Sequence, residues 1–244
     1  MSRRASNRLL DALPRSSLRK VLDACEIVEL AFAEVLYTPG QRLLHVYFPL
    51  TAFISLVMPI DRSASLEVGL IGSEGMFGIP LVLGVKASPV RAMVQGAGSA
   101  LRMPAEVFAR TLESNPEMQR EIYRYIVVHV SQLERAAGCT RFHVVEARLA
   151  RWLLMMQDRA HASTFHVTQA FLALMLGVRR VGITAAAGTL QRRGFIEYSR
   201  GSMTVLNRRG LKSASCGCYQ ADCESYDRIL GSARARLACK LPLS

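Results

Sequence analysis

The sequence predicts an α+β chain: an antiparallel β jelly roll, then a long helix, then a winged helix-turn-helix. Three observations predict it. Between Ile27 and Met103, short apolar stretches alternate with turn signals, the texture of a sandwich or jelly roll. Between Ile122 and Ala136, seam residues recur in steps of four and three, as on a helix that pairs with another. From His166 to Leu211, two helical segments meet at Gly177 and are followed by a basic hairpin.

The chain opens with helical spacing from Ser6 to Ala24 (Leu9, Leu10, Leu13, Leu18, Val21, Leu22), interrupted at Pro14. Turn signals then punctuate the β region at 38–41, 59–61, 72–75, 84–86 and 96–98. Pro39-Gly40 suits the centre of a type II turn, where Pro presets the first corner and Gly accepts positive φ at the second. Together these segments make a first unit over residues 1–114.

Helical texture returns at Pro104 and continues to about Arg159. Within it, Ile122, Ile126, His129, Leu133 and Ala136 form an a/d seam, which predicts a dimerisation helix over 115–139 that pairs with its own copy about a two-fold axis. An amphipathic helix lying on its own core has the same spacing. His129 is expected as a packed seam residue rather than a pH switch.

Residues 140–213 form the winged unit. Thr168 is a fitting N-cap for a helix to about Leu176, and its hydroxyl or the helix end suits a phosphate. Gly177 closes that helix. A second helix runs from about Arg179 to Arg193, with Ile183, Ala187 and Leu190 turned inward. Arg179, Arg180 and Thr184 stand at its start, where a recognition helix meets base edges. The guanidinium fork matches the O6 and N7 acceptors of guanine. Gln191, Arg192 and Arg193 follow, the last two suited to phosphates, and Gly194 ends the helix. Two strand-like segments then flank Ser199-Arg200-Gly201-Ser202, a wing with Arg200 at its tip.

The charge distribution points the same way. The chain carries a net +12, and from Thr140 to Lys212 twelve Lys or Arg face three acids, which places +9 of it in this stretch. Paired arginines at a helix start oppose the macrodipole, so an acidic partner, double-stranded DNA, is expected there.

Several local patterns resemble the Crp/Fnr family of bacterial regulators. They are Leu36-Tyr37-Thr38-Pro39-Gly40 with Val46-Tyr47-Phe48, Gly75-Met76-Phe77-Gly78, and Gly177-Val178-Arg179-Arg180; the likeness extends to about Leu211. It implies a cyclic-nucleotide-binding-like jelly roll, a homodimer on the long helix, and a C-terminal domain that binds palindromic promoters and contacts RNA polymerase. Half-site centres would lie about 34 Å apart. Of the helix-start residues, Arg180 carries over from the family; Arg179 and Thr184 rest on geometry.

The chain departs from the cyclic-nucleotide binders in the pocket formed by Phe77, Gly78, Ile79, Pro80, Arg91 and Ala92. Gly78 is followed by Ile79 and Pro80 instead of the ribose-binding carboxylate. Arg91 stands one residue from the phosphate-pairing position, and in a strand that slip turns a side chain to the other face. Cyclic AMP is therefore not expected, and an apolar pocket or no small ligand is. Val181 and Ala185 replace the Glu and second Arg of the cyclic-AMP-responsive recognition helix, so their operator does not transfer.

Other chemistry is weaker. The iron–sulfur relatives carry several N-terminal cysteines, whereas only Cys25 stands there. Cys216, Cys218, Cys223 and Cys239, in an extension over 214–244, could form a four-thiolate metal or redox site, although their spacing matches no common signature. A redox- or metal-responsive regulator is one alternative reading, and a non-specific architectural DNA binder another. A haem ligand among His45, His129, His143, His161 and His166 is not expected. A cupin enzyme needs a histidine cluster, and His45 is the sole histidine between Ile27 and Met103. No phosphate loop, nucleophile elbow or His-Glu-x-x-His pattern is present. With no secretory leader and no apolar run of roughly 18 residues, a cytoplasmic non-enzyme with no membrane partner is expected, its thiols reduced.

Overall fold

The computed structural model describes residues 6–61 and 64–231. Short helices α1 (Arg8–Asp11) and α2 (Arg15–Asp23) open the chain on either side of Pro14. Asn7 caps α1 by accepting from the Leu10 N–H, while its amide donates to the carbonyls of Pro49 and Gly75. One buried side chain thus ties the N-terminal helices to the β domain.

That domain comprises β1 (Glu26–Leu30), β2 (Val35–Tyr37), β3 (His45–Pro49), β4 (Phe53–Pro59), β5 (Ser65–Ile71), the short α3 (Ile79–Val82), β6 (Arg91–Gly96) and β7 (Gly98–Pro104). The strands form two antiparallel sheets, in the orders β1-β7-β3 and β2-β6-β4-β5. In the second sheet Ile54 pairs with Val94 and Leu56 with Ala92, and these side chains are buried with Ala100 from the first. The predicted turn at Pro39-Gly40 is present, with Gly40 at φ +81° and Gln41 N–H donating to the Thr38 carbonyl.

Helices α4 (Ala105–Glu113) and α5 (Pro116–Phe142) follow. The 27 residues of α5 make a rod about 40 Å long, capped at its start by Asn115. It outlasts the predicted 115–139 by three residues. Met118, Ile122, Tyr125 and Val128 on α5 are buried against the chain's own β domain. Gly75 is required there, because a Cβ at this position would sit 2.2 Å from the Tyr125 hydroxyl oxygen. The α5 face that the sequence assigns to a partner is therefore partly consumed within the protomer. Ile122 is 1% exposed, while His129 and Leu133 line a cavity in the same chain. Tyr123, Val127 and Val130, one residue further round, are exposed apolar side chains of α5, as is Phe142 at its end.

The C-terminal unit contains α6 (Val145–Ala160), β8 (Thr164–His166), α7 (Gln169–Leu176), α8 (Arg180–Arg192), β9 (Ile196–Ser199), β10 (Ser202–Val205) and α9 (Arg208–Ala214). Leu153, Leu172, Ile183, Leu190 and Met203 are among its core residues. A tenth helix, α10 (Cys218–Leu230), lies along α5. Its Asp222 accepts from Arg135 of α5 at 2.8 Å and from Arg151 of α6 at 2.7 Å. Among the described residues no single helix is long and apolar enough to cross a membrane.

Candidate nucleic-acid interface and sensor cavity

Helices α7 and α8 are bent by 107° to each other, within the range of a helix-turn-helix. Local chemistry makes that corner. Thr168 accepts from the Phe171 N–H at 3.1 Å and starts α7. Gly177, in the left-handed region at φ +59°, ends it, and the Val178 N–H closes back onto the Ala173 carbonyl, a Schellman-type stop. Ile183, Ala187 and Leu190 bury one face of α8. Arg179, its N-cap, and Arg180, its first residue, are exposed, as are Thr184 and Ala185. Val181, 72% exposed, stands beside them. It was not among the predicted contact residues, although its place beside Arg180 on the outer face could have flagged it.

Further along, not every predicted contact is equally free. The Gln191 side chain accepts from the Tyr198 N–H at 2.9 Å and so anchors the wing. Arg193 pairs with Glu146 at 3.0 Å and lies over the Phe195 ring at 4.6 Å. Among the described residues Arg192 bonds within its own helix, to Thr189. The wing is β9 and β10 joined by Arg200-Gly201, both at positive φ (+50° and +82°), as a two-residue type I′ turn requires. The third strand, β8, pairs with β10; at three residues it is too short to show a period-two pattern.

Residues 147–214 match the family model of the Crp-like helix-turn-helix domain. This segment is a Crp-like helix-turn-helix domain. The chain as a whole has the fold of the Crp/Fnr transcriptional regulators. It is similar to the c-di-GMP-responsive global regulator CLP of Xanthomonas campestris (TM-score 0.65, 16% identity, covering 79% of this chain and 99% of that one). It is similar also to FixK2 from Bradyrhizobium japonicum (0.66, 14%, 79% and 98%). A CRP-family regulator from Thermus thermophilus gives comparable values (0.66, 16%, 77% and 96%). No curated protein matches the chain in sequence.

Between the β domain and α5 lies a cavity of about 300 Å³. Phe77, Gly78, Ile79 and Pro80, named above for the effector pocket, line it with Leu56, Val68, Met76 and others, and α5 contributes His129 and Leu133. Arg91 and Ala92 do not. Strand β6 alternates, so Arg91 is exposed while Ala92 is packed in the sandwich core. No Lys or Arg is among the lining residues. Burial lowers the pKa of His129, favouring its neutral form.

The Crp-like domain is stitched to the β domain by carboxylates. Glu67 on β5 accepts from Trp152 Nε1 at 2.8 Å and from the Ser55 hydroxyl at 2.6 Å. Burial pushes its carboxyl up to about 7, against the opposing pull of those two hydrogen bonds and of Arg159 and Arg151. The folded protein therefore holds this proton more tightly than the unfolded chain. Stability from Glu67 is fully present below the unfolded value near 4.5 and is lost as pH rises to about 7. Glu67→Gln keeps an acceptor without the charge. Between pH 5 and 8 the variant's melting temperature is expected to fall less than the wild type's, the difference amounting to on the order of 1–3 kcal/mol. Parallel pH profiles would show that Glu67 does not titrate in this range.

The cysteines are arranged differently from the four-thiolate expectation. Cys216, in the turn between α9 and α10, and Cys218, the first residue of α10, lie next to Cys139 of α5 and His143. Cys223 stands five residues along α10 and so on another face; it is buried in the core with Tyr219. Cys239 lies outside the described residues. The Cys139 and Cys216 sulfurs share a hydrogen bond, which lowers the pKa of Cys216 and raises that of Cys139.

Proposed function

We propose that this chain is a dimeric, sequence-specific DNA-binding transcription regulator, with α8 as the recognition helix. The observation that carries this reading is the basic start of α8, where Arg179 and Arg180 are both exposed beside Thr184 on the outer face of a 107° corner. In the major groove Arg180 would read guanine, and Val181 would suit a thymine methyl. Arg192, Arg200 at the wing tip and the hydroxyl of Thr168 would hold phosphates, while Gln191 and Arg193 serve chiefly to fix the wing and α6. Dimerisation would use the exposed Tyr123, Val127 and Val130 stripe with the half-buried Ile126; among the predicted seam residues, Ile122 serves the protomer core, and Ala136 lines a crevice of the same chain with Glu67 and Trp152. RNA polymerase is the further partner that the likeness to Crp/Fnr regulators suggests.

The effector fits an apolar molecule better than a cyclic nucleotide. A cyclic phosphate needs a cation, and the cavity offers none. Its volume of about 300 Å³ lies at the lower end of small-ligand sites. Because β-domain residues and α5 both line it, occupancy could bias the long helices, provided the ligand prefers one arrangement.

The test is duplex binding at two salt concentrations, with a site recovered by genome-wide footprinting and a scrambled control. A specific regulator keeps a ratio of roughly a thousandfold or more, on an operator whose half-sites are about one helical turn apart. Equal affinity for both duplexes, falling together with salt, would make the protein an architectural binder instead.

A further inference from the structure

The geometry points to a metal site that binds one zinc-class divalent ion through Cys139, His143, Cys216 and Cys218. Each residue offers one ligand atom, and the four atoms lie within 4.8 Å of one another. The Cys139 and Cys216 sulfurs are 3.5 Å apart, and the Cys218 sulfur is 3.6 Å from His143 Nδ1. Tetrahedral zinc, with bonds of about 2.3 Å to sulfur and about 2.0 Å to nitrogen, requires sulfur–sulfur edges of about 3.8 Å and sulfur–nitrogen edges of about 3.5 Å. The two measured edges match that polyhedron to within a few tenths of an ångström. A cubane iron–sulfur cluster carries its cysteines on separate irons and needs them further apart than this set allows.

The surroundings fit the charge. Three thiols lose their protons to solvent as the ion binds, and His143 binds neutral through Nδ1, so the site carries a net single negative charge. Arg148 and Arg151 line the same crevice as Cys139, where their guanidinium groups oppose it. Four protein ligands leave no open position, which marks a structural rather than a catalytic site.

The ligands come from three places that an ion would join. Cys139 lies in the last turn of α5, His143 is in the two-residue connector between α5 and α6, and Cys216 and Cys218 close the junction of α9 with α10. The ion would therefore fix the angle at which the Crp-like domain leaves the long helix. Coordination itself does not depend on the DNA-binding reading, and its test uses no DNA.

The full chain, untagged and purified without oxygen, is expected to contain one zinc per protomer by elemental analysis. After metal removal, Co²⁺ should restore the charge-transfer and ligand-field bands of tetrahedral thiolate coordination. Cys216→Ser and Cys218→Ser should abolish both signals, and Cys25→Ser, a half-buried thiol outside the set, should leave them intact. Since the buried cysteine variants can fail to fold, His143→Ala serves as the exposed substitution: it should keep the far-ultraviolet spectrum and bind Co²⁺ at least tenfold more weakly. Metal-free wild-type protein that gives no thiolate band with Co²⁺ would overturn the proposal. So would a native Cys139–Cys216 disulfide found by mass spectrometry in protein kept from oxygen.

Discussion

Arg159→Ala is expected to destabilise the folded protein by about 3–5 kcal/mol. Arg159 closes α6, and its guanidinium donates to Glu74 Oε1 at 2.6 Å and to the Leu70 carbonyl at 3.1 Å, both in the β domain. The two side chains are 10% and 8% exposed. Burial alone would push Glu74 up, but Arg159 and Arg8 outweigh it and hold the carboxyl below its ordinary value. Removing the arginine leaves a buried carboxylate that must either stay charged without its partner or take up a proton. The α6 docking surface carries the loss, and the single tryptophan, Trp152, sits there. Urea unfolding followed by its fluorescence is the measurement. The double variant Glu74→Gln/Arg159→Met should recover much of the loss, because a pair removed together leaves no orphan charge. A single-variant cost below about 1 kcal/mol would mean that the pair behaves like a surface ion pair.

Arg180→Ala is expected to weaken operator binding by about 1–3 kcal/mol per half-site, about 2–6 kcal/mol for a symmetric dimer. That is a loss of roughly thirtyfold to twenty-thousandfold, confined to operators with guanine at the contacted pair. Arg180→Lys should not rescue it, since an ammonium lacks the planar fork. Competition binding against single-base operator variants reads both effects. Equal loss on every duplex would make Arg180 a phosphate contact. Arg192→Ala, by contrast, should weaken all duplexes alike and reduce the salt slope by about two, one for each protomer.

The elements proposed to carry DNA contacts were readable from the chain because short-range chemistry makes them. Thr168 caps α7 by accepting from an N–H three residues away, Gly177 takes a left-handed conformation that ends it, and Arg200-Gly201 forms the turn its neighbours demand. The apolar lining at Ile79 and Pro80 was readable for a similar reason, as residue type alone dictates it.

The sequence by itself therefore determined the order of parts, the corner of the helix-turn-helix and its basic start, since each is settled by interactions within a few residues. Tertiary structure decided which surfaces remain free. Spacing along α5 is equally compatible with two neighbouring stripes, and packing on the β domain consumed Ile122 and left Val127 and Val130 outside. The same packing turned Arg91 away from the cavity and engaged Gln191 and Arg193 inside the domain. It also brought Cys139 to Cys216 across 77 residues of chain. Periodicity records which face of an element is apolar; only the assembled neighbours establish what that face meets.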